Sequence, residues 1–222
     1  MPETAPRLPQ IGAALGGLLL LVGCASSASD NSALGDAARP APWGGQVTIA
    51  SEPAGARCAV TNAGAPVATI ASTPAPVVLP RGTSVLEVAC SAPGRADTTA
   101  ALRPGRDFAV HHPMPVGTGT IQNAVAVRTG STRRYFDTTV HLPPASFASA
   151  AERDAWFAAR ADALRAAAAP AIARAERAPL STIDDGAAER AYLDADLARL
   201  DQQRLAAGVT TAPAAPARAG RR

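Results

Sequence analysis

The sequence predicts an α+β protein: a small antiparallel β-sandwich, then C-terminal α-helical segments, then a disordered tail. Three observations point there. From Gly45 to about Arg103, short runs of alternating apolar residues are separated by Pro and Gly, the punctuation of an all-β module. Beyond Pro144 the pattern changes to Ala-rich stretches with larger apolar residues at helical spacing. From Gly208 onward Ala, Pro and Arg dominate, a composition that buries too little apolar surface to offset chain entropy.

Strands are expected at Val47-Thr48-Ile49, Arg57 to Thr61, Pro66 to Ile70, Val77 to Leu79, Val85 to Cys90 and Thr98 to Leu102. Glu52-Pro53-Ala54-Gly55 suits a type I turn, with proline second and glycine fourth. Pro80-Arg81-Gly82 and Ala92-Pro93-Gly94 mark two further turns. Val116-Gly117-Thr118-Gly119-Thr120 lacks the Lys-Ser/Thr ending of a phosphate-binding loop, so it is expected as a flexible connection. Tyr135 to Leu142 alternates, with Phe136, Val140 and Leu142 on one side, and stops at Pro143-Pro144. That reads as a strand at a sheet edge.

Ser149-Ala150-Ala151-Glu152 is a capping box, in which hydroxyl and carboxylate satisfy orphan amides at a helix start. The helix is expected through Trp156, Phe157, Ala163, Leu164 and Ala167 to Pro170, with resumption to Arg177 left open. A second helix starts near Asp184-Asp185, acids at its positive end. Leu193, Leu197, Leu200 and Arg204 form a narrow stripe that could pack on the β-module, on the first helix or on another chain.

At 222 residues the chain suffices for one ordinary domain or two small ones. Every basic residue is arginine, and the formal net charge is only +3. The arginines are scattered, whereas nucleic-acid binding needs a clustered basic face, so no nucleic-acid partner is expected. Two Trp, two Tyr and four Phe also leave little material for sugar- or base-stacking platforms.

Ile11 to Val22 carries no charge and follows Arg7. It is shorter than the ~20 residues of a spanning helix and has the length of a signal-peptide apolar region. Leu21-Val22-Gly23-Cys24 resembles the lipobox of bacterial lipoproteins. The resemblance implies cleavage before Cys24, a diacylglyceryl thioether on its sulfur, and membrane anchoring through that lipid. Ala25 after the cysteine implies sorting to the outer membrane. The mature protein is then expected in the cell envelope, on the periplasmic face.

Lipidation removes Cys24 from the thiol count and leaves Cys58 and Cys90, an even pair in an oxidising compartment. Cys58 shares a strand face with Val60, and Cys90 shares one with Leu86 and Val88. Both thiols are expected in one core as a disulfide, which would stabilise the fold by roughly 3–4 kcal/mol. Two separate buried thiols are the alternative.

Ser51-Glu52-Pro53-Ala54-Gly55-Ala56, then Ser72-Thr73-Pro74 leading to Leu79-Pro80-Arg81-Gly82, then Val88 to Gly94, resemble a PEGA-type domain. The order and spacing of these turn motifs carry the resemblance. It implies a small β-sandwich of envelope proteins with no catalytic residues. Arg95 stands where an aromatic is common in that family, and the cysteine pair is a further departure. The stretch from Gly130 through Tyr135-Phe136 to Phe147 also resembles the segment following such a module in lipoproteins.

The organisation expected is therefore a lipoprotein signal peptide over 1–23 and a flexible tether over 24–44. A PEGA-like β-domain follows over 45–115, a Gly-containing connection and strand over 116–147, a helical segment over 148–207 and a disordered tail over 208–222. No cofactor is expected. Adjacent His111 and His112 point to opposite sides of a strand, without carboxylate or thiol partners to complete a metal set. For an enzyme, His111, His112 or His141 would work with Asp107 or Asp137. Asp137 and His141 share a strand face about 13 Å apart, too far for a dyad. The reading that follows is a non-enzymatic, lipid-anchored envelope protein that scaffolds or binds an envelope protein or polymer. A peptidoglycan- or polysaccharide-binding module is the alternative, with a periplasmic enzyme third. Exposed Trp43 or Tyr135 on a concave surface would favour polymer binding; their burial would count against it.

Overall fold

The computed structural model describes residues 34, 36–113, 115–177 and 185–210. The expected signal-peptide segment, Cys24 and the part of the expected tail beyond residue 210 lie outside the described residues. The described chain is α+β, with several antiparallel sheets and three helices.

Six strands fall where the Pro/Gly punctuation places them: β1 (Gln46–Glu52), β2 (Arg57–Asn62), β3 (Ala65–Ile70), β4 (Ala75–Val78), β5 (Leu86–Ser91) and β6 (Thr98–Leu102). The pairs β2–β3, β2–β5 and β5–β6 make one antiparallel four-stranded sheet, ordered β3-β2-β5-β6. Period-two burial is clear in β5, where Leu86, Val88 and Cys90 point inward. The second sheet is ordered β4-β1-β9, with β9 spanning Thr138–His141. The inner faces of both sheets meet in a single core containing Ile49, Val60, Leu79, Val88, Val140 and Leu142.

The Cys58 and Cys90 sulfurs are bonded, 2.01 Å apart. The two residues are direct partners in the β2–β5 ladder, with Cα atoms 4.1 Å apart. Both are almost fully buried.

The Ser51-to-Ala56 motif and Thr73 meet. Thr73 Oγ1 accepts from Ala56 N at 3.0 Å and hydrogen-bonds Ser51 Oγ. Gly55 N donates to Thr73 O, and Thr73 N donates to Ala56 O. These bonds satisfy polar groups buried under the β1–β2 turn, where Ser51 and Thr73 are nearly inaccessible. The Glu52–Pro53 and Thr73–Pro74 peptide bonds are cis, and Gly55 adopts φ +90°. Turn chemistry thus accounts for these motif residues.

Four features depart from the sequence expectations. First, the β-domain is not wholly antiparallel: β9 runs parallel to β1, with Glu52 opposite His141. Long chain excursions permit this pairing, and no local turn signal announces it. Second, the connection over 116–147 contains a helix, α1 (Gly119–Thr129). Its buried residues are Asn123 and Ala126, while Ile121 and Val125 are exposed. That inversion of the usual apolar stripe hides the helix from periodicity. A short β7 (Gly105–Arg106) pairs with β8 (Arg133–Arg134) beside it. Third, α2 (Ala150–Arg177) runs unbroken through Pro170; its exposed position there leaves the freed carbonyl near solvent. Fourth, Gly208 and Val209 belong to a strand, β11, paired parallel with β10 (Ser146–Phe147). The disordered tail expected from residue 208 therefore cannot begin there. Thr210 N extends the clip by donating to Phe147 O at 2.8 Å.

The capping signals act as read. Glu152 N donates to Ser149 Oγ at 3.1 Å, and Glu152 Oε2 accepts from Ala148 N. Asp185 caps α3 (Gly186–Ala206), accepting from Ala188 N at 2.8 Å; Asp184 lies outside the described residues. Helices α2 and α3 pack on each other around Phe147, Phe157 and Leu200. The hairpin also rests on the β-domain. Arg103 grips Asp196 of α3 through both guanidinium nitrogens, at 2.6 and 2.8 Å, and Gln203 donates to Thr99 O. Of the destinations open to the leucine stripe, the α2–α3 seam takes Leu200. No helix among the described residues is long and apolar enough to cross a membrane.

Candidate functional site

The candidate site forms at the end of the β1–β9 pairing. In a parallel ladder, directly opposed residues present their side chains together. Glu52, the last residue of β1, therefore stands beside His141, the last residue of β9. Glu52 Oε2 lies 2.8 Å from His141 Nδ1. Helix α2 crosses nearby and adds Trp156, Ala159 and Arg160, while the turn before β6 adds Arg95. With Pro53 and Leu142 these residues line an open cleft of about 460 Å³.

The electrostatics are set by burial, by Arg160 and by Glu52. Burial lowers the His141 imidazole below its ordinary value, Arg160 pushes it further down, and Glu52 opposes both. At neutral pH the Glu52–His141 contact is therefore a hydrogen bond from a neutral ring to a carboxylate. Burial also lowers Arg160, and Glu52 raises it in part. Arg160 nevertheless stays charged, because guanidinium ordinarily titrates far above neutrality. A second pocket of about 280 Å³, between β6, β9, α2 and α3, shares His141 and Arg160 with the first.

The other titratable candidates are spread apart. Asp107 is fully buried and paired with Arg81 at 2.6 Å, its second oxygen accepting from Ala109 N. Asp137 accepts from Thr48 N at 2.8 Å. His111 is exposed, whereas His112 is buried. His112 Nδ1 meets Thr132 Oγ1 at 2.9 Å, and Nε2 faces the Asn123 amide nitrogen at 3.1 Å. That amide nitrogen also donates to Pro113 O, which orients the Asn123 side chain against the ring. Among the described residues, no group of three or more His, Cys, Asp or Glu is placed to hold a metal.

Neither aromatic named for polymer binding offers a free face. Tyr135 is buried, its hydroxyl donating to Ser84 O at 2.8 Å, and burial raises its phenol. Trp43 is half-buried, bonded through Nε1 to Gln46 O and faced by Arg81 and Arg134. The aromatic beside a cleft is Trp156 instead. Sequence reasoning weighs His141 only against Asp107 and Asp137, finds Asp137 too distant for a dyad, and does not reach Glu52. Glu52 lies in a turn motif, and only the register Glu52↔His141 links it to the histidine.

No family model matches this chain. No curated protein and no solved structure matches it significantly either.

Proposed function

We propose that this is a non-enzymatic, lipid-anchored cell-envelope protein, held through a lipid on Cys24 at the periplasmic face of the outer membrane. Its PEGA-like β-sandwich and docked helical hairpin are the unit that binds or scaffolds an envelope partner. The observation that carries the reading is the Cys58–Cys90 bond. A buried disulfide at the centre of a small β-domain suits an oxidising compartment. It also leaves Cys24, directly after an apolar run and Gly23, as the one thiol outside the fold's pairing.

The anchor is tested by Cys24→Ala in cells, following membrane fractionation and incorporation of labelled fatty acid. The variant should move to the soluble periplasmic fraction and lose the label. Unchanged membrane retention under carbonate wash would sink the lipid-anchor reading.

A further inference from the structure

Arg160 stands out among the charged side chains of the β-domain–hairpin junction. Arg103, Arg199 and Arg204 all pair with carboxylates of the hairpin. Arg160 is half-buried and makes no hydrogen bond or ion pair with any described residue. Its field is nevertheless felt at His141, and that of Glu52 reaches Arg160. Taking a guanidinium partly out of water without a paired acceptor is costly. Arg160 lines the two pockets that share His141. Arg95 also lines the larger one, anchored by one bond of 3.4 Å to Leu142 O.

We propose that this cleft binds a monoanionic carboxylate, held between Arg95 and Arg160 with its apolar body against Trp156. The charge balance selects the class. Arg95 and Arg160 contribute two positive charges, Glu52 one negative, and His141 is neutral, so the lining carries a net charge of one. A single carboxylate neutralises that balance, and guanidinium matches it bidentately. A dianionic phosphate would overshoot that balance, leave a net charge of minus one and be repelled by Glu52. The remaining walls, Trp156, Pro53, Leu142 and Ala159, are apolar and suit the rest of such a ligand. A volume of about 460 Å³ lies within the ordinary range of small-molecule sites. The carboxylate could belong to a free organic acid or to a peptide C-terminus. The inference does not depend on the lipid anchor.

The test is a titration of the full chain with benzoate, followed by NMR at the Trp156 indole N–H. Benzamide serves as the neutral isostere and inorganic phosphate as the competing anion. Benzoate should give a saturable shift that benzamide does not give. Arg160→Gln should weaken binding roughly ten- to a hundredfold, the worth of a charge-assisted bond. Glu52→Gln should tighten it several-fold by removing the opposing charge, a sign that a merely structural role would not produce. If Arg160→Gln fails to fold, Arg95→Gln carries the same test. Acetylated tripeptides ending in phenylalanine, as acid and as amide, separate the sources. Tighter binding of the acid than of benzoate assigns a peptide C-terminus, and equal or weaker binding a free organic acid. The proposal is overturned by no saturable shift, by equal binding of benzamide, by phosphate saturating below benzoate, or by Glu52→Gln weakening the site.

Discussion

Replacing Cys58 by Ala and Cys90 by Val removes the covalent link between β2 and β5 while keeping apolar side chains at both positions. The bond joins residues 32 apart in sequence, and the chain-entropy relation for a loop of that length gives about 3.7 kcal/mol. Both residues sit in the middle strands of the four-stranded sheet, and the β2–β5 ladder continues from Arg57↔Ser91 to Thr61↔Glu87. The variant should therefore still fold. For a protein of this size the loss corresponds to a melting temperature lower by roughly 7–15 °C. Urea unfolding followed by circular dichroism measures the difference directly. Because the contribution lies in the unfolded chain, amide chemical shifts of the folded variant should change only around the two substituted positions. A loss below about 1 kcal/mol, or shifts spread across both sheets, would refute the argument.

Three further expectations concern other parts of the molecule. Gly130→Ala puts a Cβ 2.4 Å from the Gly82 backbone at φ +66°, so α1 must move away from the β4–β5 loop, at a cost of several kcal/mol; an unchanged urea midpoint would disprove the contact. Phe157→Ala empties the centre of the Phe147–Leu200 cluster and should cost about 3–5 kcal/mol, with faster amide exchange along α3; exchange as slow as in the unsubstituted chain would show that the cluster does not hold the hairpin. The folded value of His141 lies below its unfolded one, so the unfolded chain takes up the proton first on acidification. Its contribution to stability is complete above about pH 6.5 and declines as pH falls below that. Arg160→Gln should raise the His141 midpoint and Glu52→Gln lower it, as read from ring proton signals; movement in the same direction would invalidate the assigned causes.

Local chemistry made much of the molecule legible. The alternation of Leu86, Val88 and Cys90 is the burial pattern of β5, and it correctly aimed Cys58 and Cys90 at one core. The Ser149–Glu152 box and Asp185 worked because a helix start is satisfied by side chains within a few residues of it. Where the reading failed, the deciding contact was distant. Gly208 and Val209 look like the beginning of a tail until Ser146 and Phe147 supply ladder partners. α1 buries Asn123 because His112 and Pro113 take its amide hydrogens, a demand invisible within the helix's own sequence.

The candidate site divides along the same line. Residue types alone nominated His141 and, through alternation, placed it on a strand. They could not give it Glu52, because parallel pairing joins segments far apart in the chain without a turn to signal the register. Nor could they bring Arg160 and Trp156 over that strand end, since the docking of α2 is set by a core shared among β10, α2 and α3. Strand and cap positions follow from short-range sterics and hydrogen bonding, which act between near neighbours and so can be read in order along the chain, and the cysteine pair follows from the thiol count once Cys24 is set aside. The cleft depends on which faces meet when the whole surface is buried, and that is decided only in three dimensions.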